Sequence, residues 1–107
     1  MTILFFTSSS CLNCLRWFTL YERLDITLEK DDTFIPIDVD EEDKETQDFC
    51  DLYDVGLLPH VIILENDMQK QVFNKAGYFN PKEVEKILIR NRNEAIKPTT
   101  EGSGRTF

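Results

Sequence analysis

Two cysteines with two residues between them, Cys11 and Cys14 in "SSSCLNCLRW", are the side chains of this chain best suited to chemistry. A dithiol at this spacing can close a disulfide, hold a metal ion or exchange electrons with another disulfide. The pair follows an apolar run and a serine loop, at the point where a helix opens. Cys11 there meets unpaired backbone N–H groups and the positive end of the helix dipole. That setting stabilises a thiolate, and comparable CxxC thiols have pKa values of about 7 or lower. Cys14, one turn further in beside Leu15 and Phe18, is expected to be less exposed and less acidic. The asymmetry suits dithiol exchange: an exposed thiolate attacks a disulfide, and the inner thiol then resolves the mixed disulfide.

Other uses of the pair stay open at this point. A structural zinc site wants four ligands, and the chain has no second CxxC. Cys50 and His60 could complete a set only if the fold gathered them; a Cys11–Cys14–His60 site is the simpler variant. The pair could also be two inert cysteines of a helix start. A second candidate for metal, "DVDEED" at 38–43, spaces Asp38, Asp40 and Glu42 like the opening of a calcium loop. It has Asp43 where that loop needs Gly and Phe49 where it needs Glu, so it reads as a solvated surface run.

The elements that must position the pair fit a chain of 107 residues, 41% apolar with eight Phe, enough for one core. "TILFFT" (2–7) suits a buried strand. Leu12, Leu15, Phe18, Tyr21, Leu24 and Leu28 recur at helical steps and, with Cys14 and Trp17, make a broad apolar face. "TFIPIDV" (33–39) reads as a second strand, and Pro36 confines it to a sheet edge. Phe49, Leu52 and Tyr53 mark a helix over about 43–54. "HVIILE" (60–65) and "KQVFNK" (70–75) form a hairpin around "NDMQ". Asn80, Pro81 and Glu83 announce a last helix by cap, first-turn proline and capping box, with Phe79 and Val84 as its staple. Val84, Ile87 and Leu88 should face the core.

The order β-α-β-α-β-β-α predicts an α/β domain over 1–96, with 97–107 a disordered C-terminal tail. A right-handed crossover makes strands one and two parallel. The four-stranded mixed sheet then takes the order 2-1-3-4, flanked by helices. A net charge of −8 argues against nucleic-acid partners. No apolar run reaches membrane-spanning length, and "MTILFFTSSS" lacks the basic start of a signal peptide. The expected location is cytoplasmic, where a structural disulfide is out of place.

"YDVGLLPHVIIL" (53–64) resembles the stretch before the cis-proline of the thioredoxin superfamily, matching at Tyr53, Val55, Gly56, Leu58 and Pro59. "ILFFTSSSCLNC" resembles the strand–loop–CxxC opening of small thioredoxin- and glutaredoxin-like redoxins. "IDVDE" and "AGYFNPKEVEKIL" resemble their second strand and last helix. Redoxins that donate electrons to ribonucleotide reductase are the nearest in pattern. The resemblance implies a thiol–disulfide oxidoreductase of thioredoxin-like fold, with Cys11 as nucleophile and Cys14 as resolving thiol. Pro59 would then be cis beside the pair. The Leu58 backbone would pair with an extended substrate, Leu12 and Asn13 would border the groove, and Gly77 would let the chain pass close to it. No prosthetic group is expected, since the dithiol carries the electrons. The implied partners are an NADPH-dependent flavoprotein thioredoxin reductase and protein disulfides, ribonucleotide reductase among them, and the chain is expected to act as a monomer.

Several positions depart from the family pattern. Ser10 stands where Trp is familiar before the motif, and Leu12-Asn13 replace Gly-Pro within it. Strand one, "ILFF", lacks the buried acid that helps move the inner thiol's proton, so water or His60 would have to relay it. Leu57-Leu58-Pro59 and Ala76-Gly77 replace the Thr-Val-Pro and Gly-Gly of glutathione-using relatives. Arg16 and Lys75 read as surface charges, Trp17 as packing, and Cys50 as a semi-buried free thiol. A fold-bearing binding module with weak turnover, or a Cys/His metal protein, is the alternative.

Overall fold

The computed structural model describes residues 1–65 and 70–96. Its strands are β1 (Thr2–Thr7), β2 (Thr33–Asp38), β3 (His60–Leu64) and β4 (Gln71–Ala76). Its helices are α1 (Leu12–Arg23), α2 (Lys44–Leu52) and α3 (Lys82–Ile96). The expected tail at 97–107 and the turn "NDMQ" lie outside the described residues.

Burial along the strands explains their order. Ile3, Leu4, Phe5 and Phe6 of β1 and every residue of β3 are buried, the mark of strands covered on both faces. These two are central and antiparallel, with Phe6 opposite His60 and Leu4 opposite Ile62. β2 and β4 are mostly exposed or half-buried and form the edges, giving β2-β1-β3-β4. This is the expected order, and it leaves Pro36 on an edge strand. β1 and β2 are parallel, joined through α1; β4 runs antiparallel to β3.

The two faces of the sheet carry separate cores. On one, Ile3, Phe5, Val61 and Ile63 meet Cys14, Trp17 and Tyr21 of α1 and Val84 and Leu88 of α3. On the other, Leu4, Phe6, Ile37, Ile62 and Leu64 lie beneath the half-buried Phe49, Cys50, Tyr53 and Val55.

The phase of α1 differs from the one its leucines suggested. Leu12 and Leu15 are 80% and 64% exposed, while Cys14, Trp17 and Tyr21 are buried. An aromatic stack sets the phase: the Trp17 ring lies 4.8 Å from Phe5 and 5.3 Å from Tyr21, and Phe79 meets its edge at 5.7 Å. Aromatic pairs of this kind add about 0.5–1.5 kcal/mol beyond their burial. The helix also stops at Arg23, with Asp25 in the left-handed region (φ 51°), so Leu28 packs from a loop.

α2 begins on Asp43, whose side chain accepts from the Thr46 N–H at 3.3 Å. At α3, the Asn80 carboxamide oxygen accepts from the Lys82 N–H at 3.0 Å, and Phe79 and Val84 are buried together. The capping box is not formed as expected. The Glu83 carboxylate is drawn to Lys75 Nζ at 3.2 Å, on the neighbouring strand.

Candidate active site

Three segments reach one edge of the sheet because the central strands are antiparallel. β1 ends at Thr7 and delivers residues 8–14. β3 starts at His60, opposite Phe6, so Pro59 lies at the same edge. β4 ends at Ala76, opposite His60, and brings Gly77 and Tyr78 there too.

A tight turn positions the first segment. The Cys11 N–H donates to the Ser8 carbonyl at 3.1 Å, and the Ser8 hydroxyl donates to Asp40 Oδ2 at 2.6 Å. That second bond ties the cysteine loop to the loop after β2. Cys11 is the N-cap of α1, and its sulfur accepts from the Cys14 N–H at 3.1 Å. Cys11 and Cys14 form a disulfide with Cα atoms 5.2 Å apart. Cys14 is buried against Phe5, whereas Cys11 is half-exposed. The two sulfurs are therefore unequal: one near solvent at a helix start with an N–H aimed at it, the other inside the core. A backbone donor aimed at sulfur favours its anion once the bond is reduced.

The Leu58–Pro59 peptide bond is cis, as the resemblance implied. Pro59 is fully buried, and its carbonyl accepts from the Gly77 N–H at 2.8 Å. Gly77 has φ +86°, and a Cβ there would stand 3.2 Å from Leu57 Cδ2, so both conformation and space favour glycine. The backbone N–H and C=O of Leu58 have no partner among the described residues. Leu12 lines the edge of the disulfide, Asn13 is exposed, and Leu57 and Tyr78 are 68% and 42% exposed. Leu12, Leu15 and Tyr78 share a shallow groove of ≈ 460 Å³. Leu12 and Leu15 lie both beside the disulfide and in this groove, whose walls also include Arg16 and Arg23.

His60 does not join this site. Its imidazole is on the α2 face, 5.8 Å from the Phe6 ring, with Nε2 2.7 Å from Asn74 Oδ1. Cys14 is packed on the opposite face, with Phe5. Successive strand residues point to opposite faces, so a direct relay between His60 and Cys14 has the sheet in its way. The same separation parts the three members of the Cys11–Cys14–His60 set. Among the described residues, no three His, Cys, Asp or Glu side chains gather in a metal-holding group.

Cys50 is half-buried in the α2-face core, and burial first, then the Asp51 charge, pushes its thiol pKa up. It is a poor nucleophile beside Cys11. Arg16 is exposed; Lys75 is paired with Glu83 and lies over the Phe79 ring. Trp17 is wholly buried packing.

Sequence reasoning missed the tie between Ser8 and Asp40 and the approach of Pro36 to the disulfide. The period-two alternation of β1 and β2 contained the second of these, because Phe5 and Pro36 are register partners.

No family model matches the sequence, and no curated protein matches it. Solved structures do resemble it. The chain superposes on thioredoxin-2 of the malaria parasite with a TM-score of 0.68 at 18% identity, covering 83% of this chain and 81% of that one. For chloroplastic thioredoxin z the TM-score is 0.67 at 21% identity, covering 86% and 78%. For thioredoxin 1 of Thermosipho africanus it is 0.60 at 23% identity, covering 91% and 100%. The fold is the thioredoxin fold, and the disulfide sits after its first strand, joining the N-cap and the first turn of its first helix. Among the described residues, no helix is long and apolar enough to cross a membrane.

Proposed function

We propose that this chain is a thiol–disulfide oxidoreductase that reduces disulfides in proteins. The observation that carries the reading is the inequality of the two sulfurs, with Cys11 capping α1 under the Cys14 N–H and Cys14 buried behind it. In the reduced protein the Cys11 thiolate attacks one sulfur of a substrate disulfide, forming a mixed disulfide and expelling the other as thiolate. Cys14 loses its proton and attacks Cys11 Sγ. The Cys11–Cys14 bond forms, the mixed disulfide breaks, and the substrate leaves with two electrons and its second thiol.

The open backbone of Leu58 offers an extended substrate one strand-like pairing. Exposed Leu12, Leu57 and Tyr78 offer it a surface, and Gly77, having no Cβ, keeps the space beside Leu57 open. The dithiol needs no prosthetic group. Its reductant in this reading is an NADPH-dependent flavoprotein thioredoxin reductase in the cytoplasm, and ribonucleotide reductase is a candidate client. The chain acts as a monomer.

One feature favours a second reading. Phe5, an apolar ring, occupies the strand position facing Cys14, so no strand acid is there to take the inner proton. A binding module with slow turnover fits that feature. Insulin-disulfide reduction driven by NADPH and thioredoxin reductase separates the two. Turnover lost in Cys11→Ser by at least about a thousandfold is the expected result. A wild-type protein that forms and loses its disulfide without turnover would favour the binding module, and one that never cycles would end the redox reading.

A further inference from the structure

The disulfide has a second flank, away from Pro59. Phe5, Leu15, Phe18 and Pro36 wall a cleft of ≈ 300 Å³ that both Cys11 and Cys14 line. That is the lower end of ligand-sized pockets, about 300–1,000 Å³, and suits side chains attached to something larger. The register sets Phe5 beside Pro36 and Thr7 beside Asp38. Side chains alternate along a strand, so Asp38 shares the face on which Pro36 lines the cleft. Asp38 Oδ1 accepts from the Asp40 N–H at 2.9 Å, and Asp40 in turn takes the hydroxyl of Ser8, another residue of the cleft wall. Asp38 and Asp40 do not line the apolar cleft themselves; they adjoin its wall, Asp38 through the strand face of Pro36 and Asp40 through Ser8. Neither has a cationic partner among the described residues.

We propose that this cleft chooses the substrate. It seats an apolar side chain of a partner protein near the reactive cystine, while Asp38 and Asp40 receive an adjoining Lys or Arg. The inference rests on the redox reading and names its substrate class: cystines in apolar, basic surroundings. A second copy of this chain is a poor occupant, because at net charge −8 it would bring acid to the acidic flank of the cleft. The cleft shares Leu12 and Leu15 with the groove that holds Tyr78, Arg16 and Arg23, so a side chain seated in it can belong to a larger partner lying across both.

The test measures single-turnover reduction by the reduced protein of three disulfides. Hydroxyethyl disulfide has no side chain to seat. Two synthetic peptides, matched in length and each closed by one disulfide, carry Leu and Lys, or Ala and Glu, beside the cystine. The Leu/Lys peptide is expected to react roughly tenfold faster or more, the discrimination an apolar pocket commonly gives. Asp38→Asn with Asp40→Asn keeps acceptors for the Asp40 N–H and the Ser8 hydroxyl, and should remove the part of the preference due to Lys. Pro36→Gln, on an exposed edge position, should reduce the part due to Leu. Equal peptide rates beside normal reduction of hydroxyethyl disulfide would overturn the cleft and leave the redox reading intact. A preference that survives all these substitutions would also overturn it, since selection would then reside elsewhere. Failure to reduce even hydroxyethyl disulfide would instead remove the redox reading beneath it.

Discussion

The two faces of the sheet are built differently. On the α1/α3 side, two helices press buried side chains onto the strands, and Trp17 sits in a stack with Phe5 and Tyr21. On the α2 side the strands are equally buried, yet α2 itself buries no residue fully. The disulfide belongs to the thick face, through Cys14; His60 and Cys50 belong to the thin one. The disulfide is thus anchored in the better-packed half. The polar and thiol side chains of the other half serve local packing.

Truncation of buried side chains separates the two faces most strongly. Trp17→Ala should destabilise by about 3–5 kcal/mol, whereas Phe49→Ala should cost only about 1–2 kcal/mol because its ring is half-buried. Urea unfolding of both variants measures this, and equal losses would erase the distinction between the faces.

A smaller effect is expected at the seam between α3 and the loop before β2. Arg92 reaches Asp32 Oδ2 at 2.8 Å and the Thr27 carbonyl at 2.6 Å. Burial raises the Asp32 pKa, but the Glu29 N–H, the Arg92 guanidinium and the N-terminal ammonium outweigh it and hold the carboxyl below its usual value. A depressed pKa in the folded state stabilises above the unfolded value and fades as pH falls through the folded one. Arg92→Ala should therefore cost about 1–3 kcal/mol at neutral pH. The gap from wild type should narrow below about pH 4. Unfolding curves at pH 7 and pH 3 check both the size and the sign.

The smallest effect sharpens the chemical side of the comparison. His60→Gln, which keeps a side chain able to bond Asn74, should lower stability by about 1 kcal/mol and leave the pH–rate profile of disulfide exchange unchanged. A displaced alkaline limb would mean that His60 acts on Cys14 across the sheet.

Much of this architecture was legible in the sequence, for reasons that differ by element. The apolar runs of β1 and β3 marked them as buried strands, and a right-handed crossover with Pro36 on the edge gave their central place. Pro36 marked the edge strand, and the spacing of "CLNC" and Pro59 marked the site. The phase of α1 was obscured because two apolar periodicities overlap, one through Leu12 and Leu15, the other through Cys14, Trp17 and Tyr21. Only stacking on Phe5 decides between them. The face of His60 depended on strand register, where a shift of one residue reverses every side chain. Glu83 could meet the Asn80 backbone or Lys75, and nothing local to α3 distinguishes them.

The groove is assembled from distant parts of the chain, and this sets an order in time. Cys11 and Cys14 leave the ribosome before Pro59 and Gly77, which follow after several further seconds of synthesis at about 5–20 residues per second. Until β3 and β4 join the sheet, the nascent chain carries Cys11 and Cys14 without the Pro59 and Gly77 side of the groove. In the redox function proposed above, the dithiol thus precedes in synthesis the parts of the chain that would choose its partner.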